Sequence, residues 1–266
     1  MLFKTDEMTA QLETLLCPTD YHRNIFRARL PLRSPSKESS RRCSQYIFSP
    51  VHYEQNYAYP LIVWLHGSGA DENQLFRVMP EISMRNYVAV APRGLTRRES
   101  QTCRTLRSVQ TAGKTRSFAS LYDWPDTEEA IQESSERVFD AIQRASTRYH
   151  VNPSRIFLAG FDVGGTMALQ IASRFPASFA GAISLCGPFP EKHLPLRNWE
   201  SLRQFPILIM SGTQSRLFSA QKMNEQLRLF HSAGMLVSIR QYNAAQELTH
   251  QMLRDVDQWI IGKIAS

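Results

Sequence analysis

Five residues hold the most chemistry: Gly160-Phe161-Asp162-Val163-Gly164. Two glycines flank a carboxylate at a spacing that lets a strand turn sharply into a helix, because a Cβ at either glycine would collide across the turn. Such a turn holds its central side chain at φ > 0, which aspartate tolerates better than most residues. A carboxylate presented this way can attack an electrophilic carbon, or act as a fixed anion at the start of a helix. A second glycine-containing turn, His66-Gly67-Ser68-Gly69, follows a short apolar run. Further along lie Gly212-Thr213-Gln214-Ser215 and Tyr242-Asn243-Ala244-Ala245-Gln246-Glu247-Leu248. Glutamine shuttles no proton near neutral pH, and serine is no substitute for a carboxylate.

These turns need elements to position them. LIVWLH (61–66) is a short apolar run, expected as a strand buried on both faces. QYIFS (45–49), YVAVA (87–91), RIFLAG (155–160), FAGAISLC (179–186), PILIMS (206–211) and LVSIRQY (236–242) read as further strands. Between them, helices are expected from DENQLFRVM with acidic residues in its first turn, and over 126–150, 163–175, 220–235 and 247–261. In the second of these, Ile131, Ser134, Ser135, Val138, Phe139, Ile142 and Ala145 share one face. The alternation predicts an α/β fold: a mostly parallel central sheet with helices on both faces. The 19 residues of 187–205 are too few for a sizeable cap domain. Residues 94–119 read as a loop. Residues 1–43 read as an appended basic arm with a weak helix over 5–16, leaving 44–266 as the folded domain.

YPLIVWLHGSGADENQL (59–75), RIFLAGFDVGGTMAL (155–169), FAGAISLCG (179–187) and ELTHQMLRDVDQWI (247–260) together resemble the carboxylesterase/phospholipase branch of the α/β-hydrolase superfamily. That resemblance implies a nucleophile elbow of the form G-x-S-x-G, with the triad in the order nucleophile, acid, base. It places Asp162 at the nucleophile position, Ser215 at the acid and Gln246 at the base, so all three positions are substituted. It also assigns the oxyanion-hole N–H groups to Ser68 and Val163, makes His66 part of its turn, and puts Gly67, Tyr122, Trp124 and Cys186 around the pocket. The expected function is a catalytically inactive pseudo-hydrolase that binds a small ester-like or anionic ligand or a protein partner. An ionised Asp162 is expected to fill the oxyanion hole itself, bonded to nearby backbone N–H groups.

Two alternatives stand beside this, the first an active hydrolase of ester-like substrates with Asp162 as its nucleophile. Haloalkane dehalogenases and epoxide hydrolases use an elbow aspartate as nucleophile, but they carry tryptophan after it, a helical cap and a histidine, where this chain has Val163, a short connection and Gln246. His250 is the nearest imidazole in sequence, four residues on. The other alternative is a binder of acidic partners. The formal charge of +7 is concentrated in residues 27–42, at +5, and 93–116, at +6, leaving −4 for the rest. No nucleic-acid motif accompanies these segments, and Gly113-Lys114-Thr115 lacks the glycine, at Ser108, that a phosphate loop requires. No cofactor or metal motif is visible. Cys17, Cys43, Cys103 and Cys186 are scattered, which fits reduced thiols and a cytoplasmic protein. There is no membrane span and no signal-peptide pattern, and oligomeric state is not readable.

Overall fold

The computed structural model describes residues 44–96, 122–190, 199–215, 225–228, 230 and 234–265. The proposed arm, the helix over 5–16, most of the 94–119 loop and much of the 220–235 helix lie outside the described residues.

Seven strands form one sheet: β1 (Gln45–Phe48), β2 (Tyr59–Leu65), β3 (Val88–Pro92), β6 (Val151–Phe161), β7 (Gly181–Leu185), β8 (Ile207–Gly212) and β9 (Val237–Tyr242). Their spatial order is β1-β3-β2-β6-β7-β8-β9, and β1 alone runs antiparallel, against β3. A separate two-strand ribbon pairs β4 (Leu95–Thr96) with β5 (Tyr122–Asp123). Every residue of β2 is buried, so side chains of both parities are covered by helices. At ~1.5–3 kcal/mol for each large apolar side chain, that run alone is a major stabiliser. On one face α1 (Gln74–Ile82) packs against α5 (His250–Ala265), and on the other α2 (Glu128–Arg148) packs against α3 (Val163–Arg174). Ile131, Ser134, Ser135, Val138, Phe139, Ile142 and Ala145 are all buried, as the α2 spacing predicts.

Some boundaries differ from the sequence expectation. Asp71 and Glu72 precede α1 rather than forming its first turn. Glu72 is instead buried and bound by Arg93, and Asp71 accepts bonds from Asn73. Strand β6 begins at Val151, not Arg155, because Val151 pairs with Tyr59 beyond a register shift. Asn152-Pro153-Ser154 hides this, since Ser154 N–H bonds to the Asn152 side chain in the manner of a turn. The 187–205 connection contains a short helix, α4 (Trp199–Arg203). Helix α5 starts at His250, not Glu247, with Thr249 Oγ1 accepting from Met252 N. Residues 246–249 are thereby freed to form the loop that delivers Gln246.

Candidate functional site

The carboxyl ends of β2, β6, β7 and β8 converge on the site, which is where ligands meet open parallel sheets. At the end of β6, Asp162 adopts φ 53 and ψ −125. This is a conformation that costs a non-glycine residue ~1–3 kcal/mol. The turn is held from both sides. Asp162 N–H bonds to Leu185 O at 2.8 Å, while Asp162 O accepts from Gly165 N–H and Thr166 N–H at 2.9 and 3.2 Å. A Cβ on Gly164 would strike the carbonyls of Leu65 and His66, so β2 and α3 can approach this closely only through glycine.

The three substituted positions meet. Gln246 Nε2 donates to Asp162 Oδ1 at 2.9 Å and to Cys186 O at 2.8 Å. Ser215 Oγ donates to Gln246 Oε1 at 2.7 Å. Two acceptors around one amide end fix the Gln246 orientation, because a carbonyl oxygen there would face two others. The Ser215–Gln246–Asp162 bonds both run towards Asp162, while the second Gln246 N–H goes to the Cys186 carbonyl.

The Asp162 carboxylate does not bond to backbone N–H groups at the helix start, contrary to the expectation from its position. The side-chain amide of Gln246 supplies its partner, and the positive φ directs the carboxylate towards that loop. Among the described residues, neither Ser68 N–H nor Val163 N–H makes a backbone hydrogen bond outside its own helix or strand.

Cys186 contributes differently from what its type suggests. Its thiol is buried, and burial pushes its pKa up, away from thiolate chemistry. Its backbone carbonyl is the second clamp on Gln246, and φ 58 aims it there. A carbonyl carries no mark in a sequence, so this role was not visible. Nor was the role of Gln74, whose Oε1 accepts from Trp64 Nε1 at 2.9 Å and from Gly67 N–H at 3.3 Å, steadying the turn that carries Ser68.

His66 is fully buried within that turn. Nε2 accepts from Gly94 N–H at 3.0 Å, which leaves the proton on Nδ1, 2.9 Å from Gly67 O. Burial lowers its pKa, so the ring is neutral and structural. Trp124 is buried and donates from Nε1 to His66 O at 2.9 Å. Tyr122 belongs to a different cluster. Its hydroxyl accepts from Arg93 Nη1 at 3.2 Å, and its ring lies 4.7 Å from that guanidinium. Arg93 also holds Glu72. Burial would raise the Glu72 pKa, but bonds from Arg93 and from Ser44 Oγ outweigh it and keep the carboxyl below its ordinary value. His250 is exposed and pairs with Glu81 at 2.7 Å, with no bond to the elbow. Among the described residues no group of His, Cys, Asp and Glu could hold a metal ion, and no helix is long and apolar enough to cross a membrane.

A parallel sheet with a strained strand-to-helix elbow at its carboxyl edge defines the α/β-hydrolase superfamily, and the chain belongs to its dienelactone hydrolase family, whose model matches residues 46–255. In sequence it is similar to carboxylesterase SOBER1 of Arabidopsis thaliana, 22% identical over 138 residues. That match covers 51% of this chain and 60% of the relative, so the chain spans less than two thirds of that protein. Among solved structures it resembles the Bacillus cereus carboxylesterase, with TM-score 0.62, 15% identity, and coverage of 85% of this chain and 96% of that one. It likewise resembles Zea mays acyl-protein thioesterase 2, with TM-score 0.60, 16% identity, and coverage of 84% and 99%.

Proposed function

We propose that this protein is a pseudo-hydrolase: it keeps the hydrolase fold and a crevice at the elbow, and binds there without cleaving. The observation that supports this most is the commitment of Gln246. Its amide end is held by Asp162 and Cys186, and its oxygen by Ser215. In ester hydrolysis a base at that position must take a proton from the nucleophile and return it to the leaving group. An amide does neither. Asp162 has no hydroxyl to activate. Loss of such a triad costs roughly 10⁴- to 10⁶-fold in rate. The ligand class that suits the crevice is small and ester-like, with its carbonyl at the Ser68 and Val163 N–H groups, or an anion bound beside Asp162 rather than over it. The scattered cysteines favour a reducing, cytoplasmic setting for this binding.

The positive φ at Asp162 favours one further reading, since it presents the carboxylate as a nucleophile. An Asp162 oxygen would bond to the substrate carbon as the leaving group departs. The resulting ester has no imidazole to activate water, so the reaction stops after one event.

The test is the combined reversion Asp162→Ser, Ser215→Asp and Gln246→His. The 2.7 and 2.9 Å contacts already in place would set an imidazole between hydroxyl and carboxylate. The revertant is expected to hydrolyse p-nitrophenyl acetate at least ~10²-fold faster than the parent. A parent that already cleaves the ester well above a protein-free control overturns the reading. A stoichiometric mass increase on Asp162 with alkyl halides, without turnover, would support the nucleophile reading instead.

A further inference from the structure

A groove of about 780 Å³ opens between the start of α1 and the start of α5, and Asp162, Ser215 and Gln246 are not among its lining residues. Its volume lies in the range that encloses small organic molecules, roughly 300–1,000 Å³. Val78, Leu248 and Leu253 give it an apolar floor; Arg77 and Arg93 stand in its wall.

Donors outnumber the acceptors left to receive them. A guanidinium has five N–H donors. Arg93 commits Nε and one Nη2 hydrogen to Glu72, and one Nη1 hydrogen to the Tyr122 hydroxyl. Two donors are left over among the described residues, on a group held rigid by a carboxylate and an aromatic face. Arg77 makes no ion pair or hydrogen bond among the described residues. Asp71 and Glu81 also line the groove, Asp71 accepting from the backbone and side chain of Asn73 and Glu81 pairing with His250, while Glu72 is bound by Arg93 and Ser44.

We propose that the groove binds an amphipathic organic anion, its carboxylate, phosphate or sulfonate head on Arg77 and Arg93 and its apolar body on Val78, Leu248 and Leu253. This site is independent of whether the elbow cleaves anything. Arg93 is preorganised by Glu72 and Tyr122, Arg77 is free to turn to the same head, and the hydrocarbon of Val78, Leu248 and Leu253 lies in the same groove.

Two fluorescent probes of matched shape test it. Anilinonaphthalene sulfonate carries head and body; N-phenylnaphthylamine carries the body alone. The full-length protein is expected to bind the sulfonate at least ~10-fold more tightly than the uncharged amine, as charge-assisted bonds require. Arg77→Ala should erase that preference, while Arg148→Ala, at the far end of α2, leaves it intact. Arg77 is exposed and supports no buried partner, so its loss spares the fold; Arg93→Ala would strand Glu72. Vesicles, inorganic phosphate and hexanoate as competitors then separate lipid, phosphate and carboxylate sources. Equal binding of both probes overturns the proposal. So does a sulfonate affinity that ignores Arg77→Ala, or one that follows the elbow reversions instead.

Discussion

At the residue scale, the account rests on what an amide can do when an imidazole is expected. Gln246 satisfies an anion, a carbonyl and a hydroxyl at once, which makes it a good strut and no base. The resemblance to the hydrolase superfamily picked out Asp162, Ser215 and Gln246, and the structure brings the three together. The direction of the carboxylate could not, because φ selects it and a sequence does not state φ. Asp162 at φ 53 stores strain that glycine would not. Asp162→Gly is therefore expected to be ~1 kcal/mol more stable than Asp162→Ala in urea unfolding, although both lose the Gln246 contact. His66 makes an acid-side prediction. Its folded pKa lies below the ordinary 6.5, so the unfolded chain takes up the proton first. Its contribution is fully present above that value and is lost as pH falls below it, towards the folded pKa. Stability measured by denaturant should drop between pH 7.5 and 5.5, and His66→Gln should flatten that part of the slope.

At the element scale, caps and clasps decide where each helix begins. Thr127 accepts from Ala130 N–H at 3.2 Å and starts α2. Thr127→Ala should cost ~1 kcal/mol, read as a lower urea midpoint with an unchanged slope. Helix α5 is fastened to the sheet by two phenols. Tyr87 donates to Asp257 and Tyr242 to Asp255, each at 2.6 Å. Burial, and then these carboxylates, raise both tyrosines above their ordinary 10.0. The unfolded chain loses those protons first, so this stability is intact below pH 10 and is lost as pH rises beyond it. The Tyr87→Phe/Tyr242→Phe pair should unfold less steeply in alkali. Strands of β2, β3 and β7 were legible as apolar runs because burial on both faces leaves no polar position. The start of β6 and the β4–β5 ribbon were not, since two-residue pairings and a proline-containing strand end look like turns in sequence.

At the scale of the whole molecule, the chain belongs to the dienelactone hydrolase family over residues 46–255. Within the fold, Arg93 N–H donates to Ser44 O at 2.9 Å. That contact was not legible in the sequence, because the two residues lie far apart along the chain and only the β1–β3 pairing closes the gap. The most direct measurement is the rate of p-nitrophenyl acetate hydrolysis by the unmodified full-length protein from pH 6 to 9, set against buffer. The account predicts that the two curves superimpose. An excess rate that rises with an apparent pKa near 7 would reveal an imidazole at work on the elbow, and would contradict it.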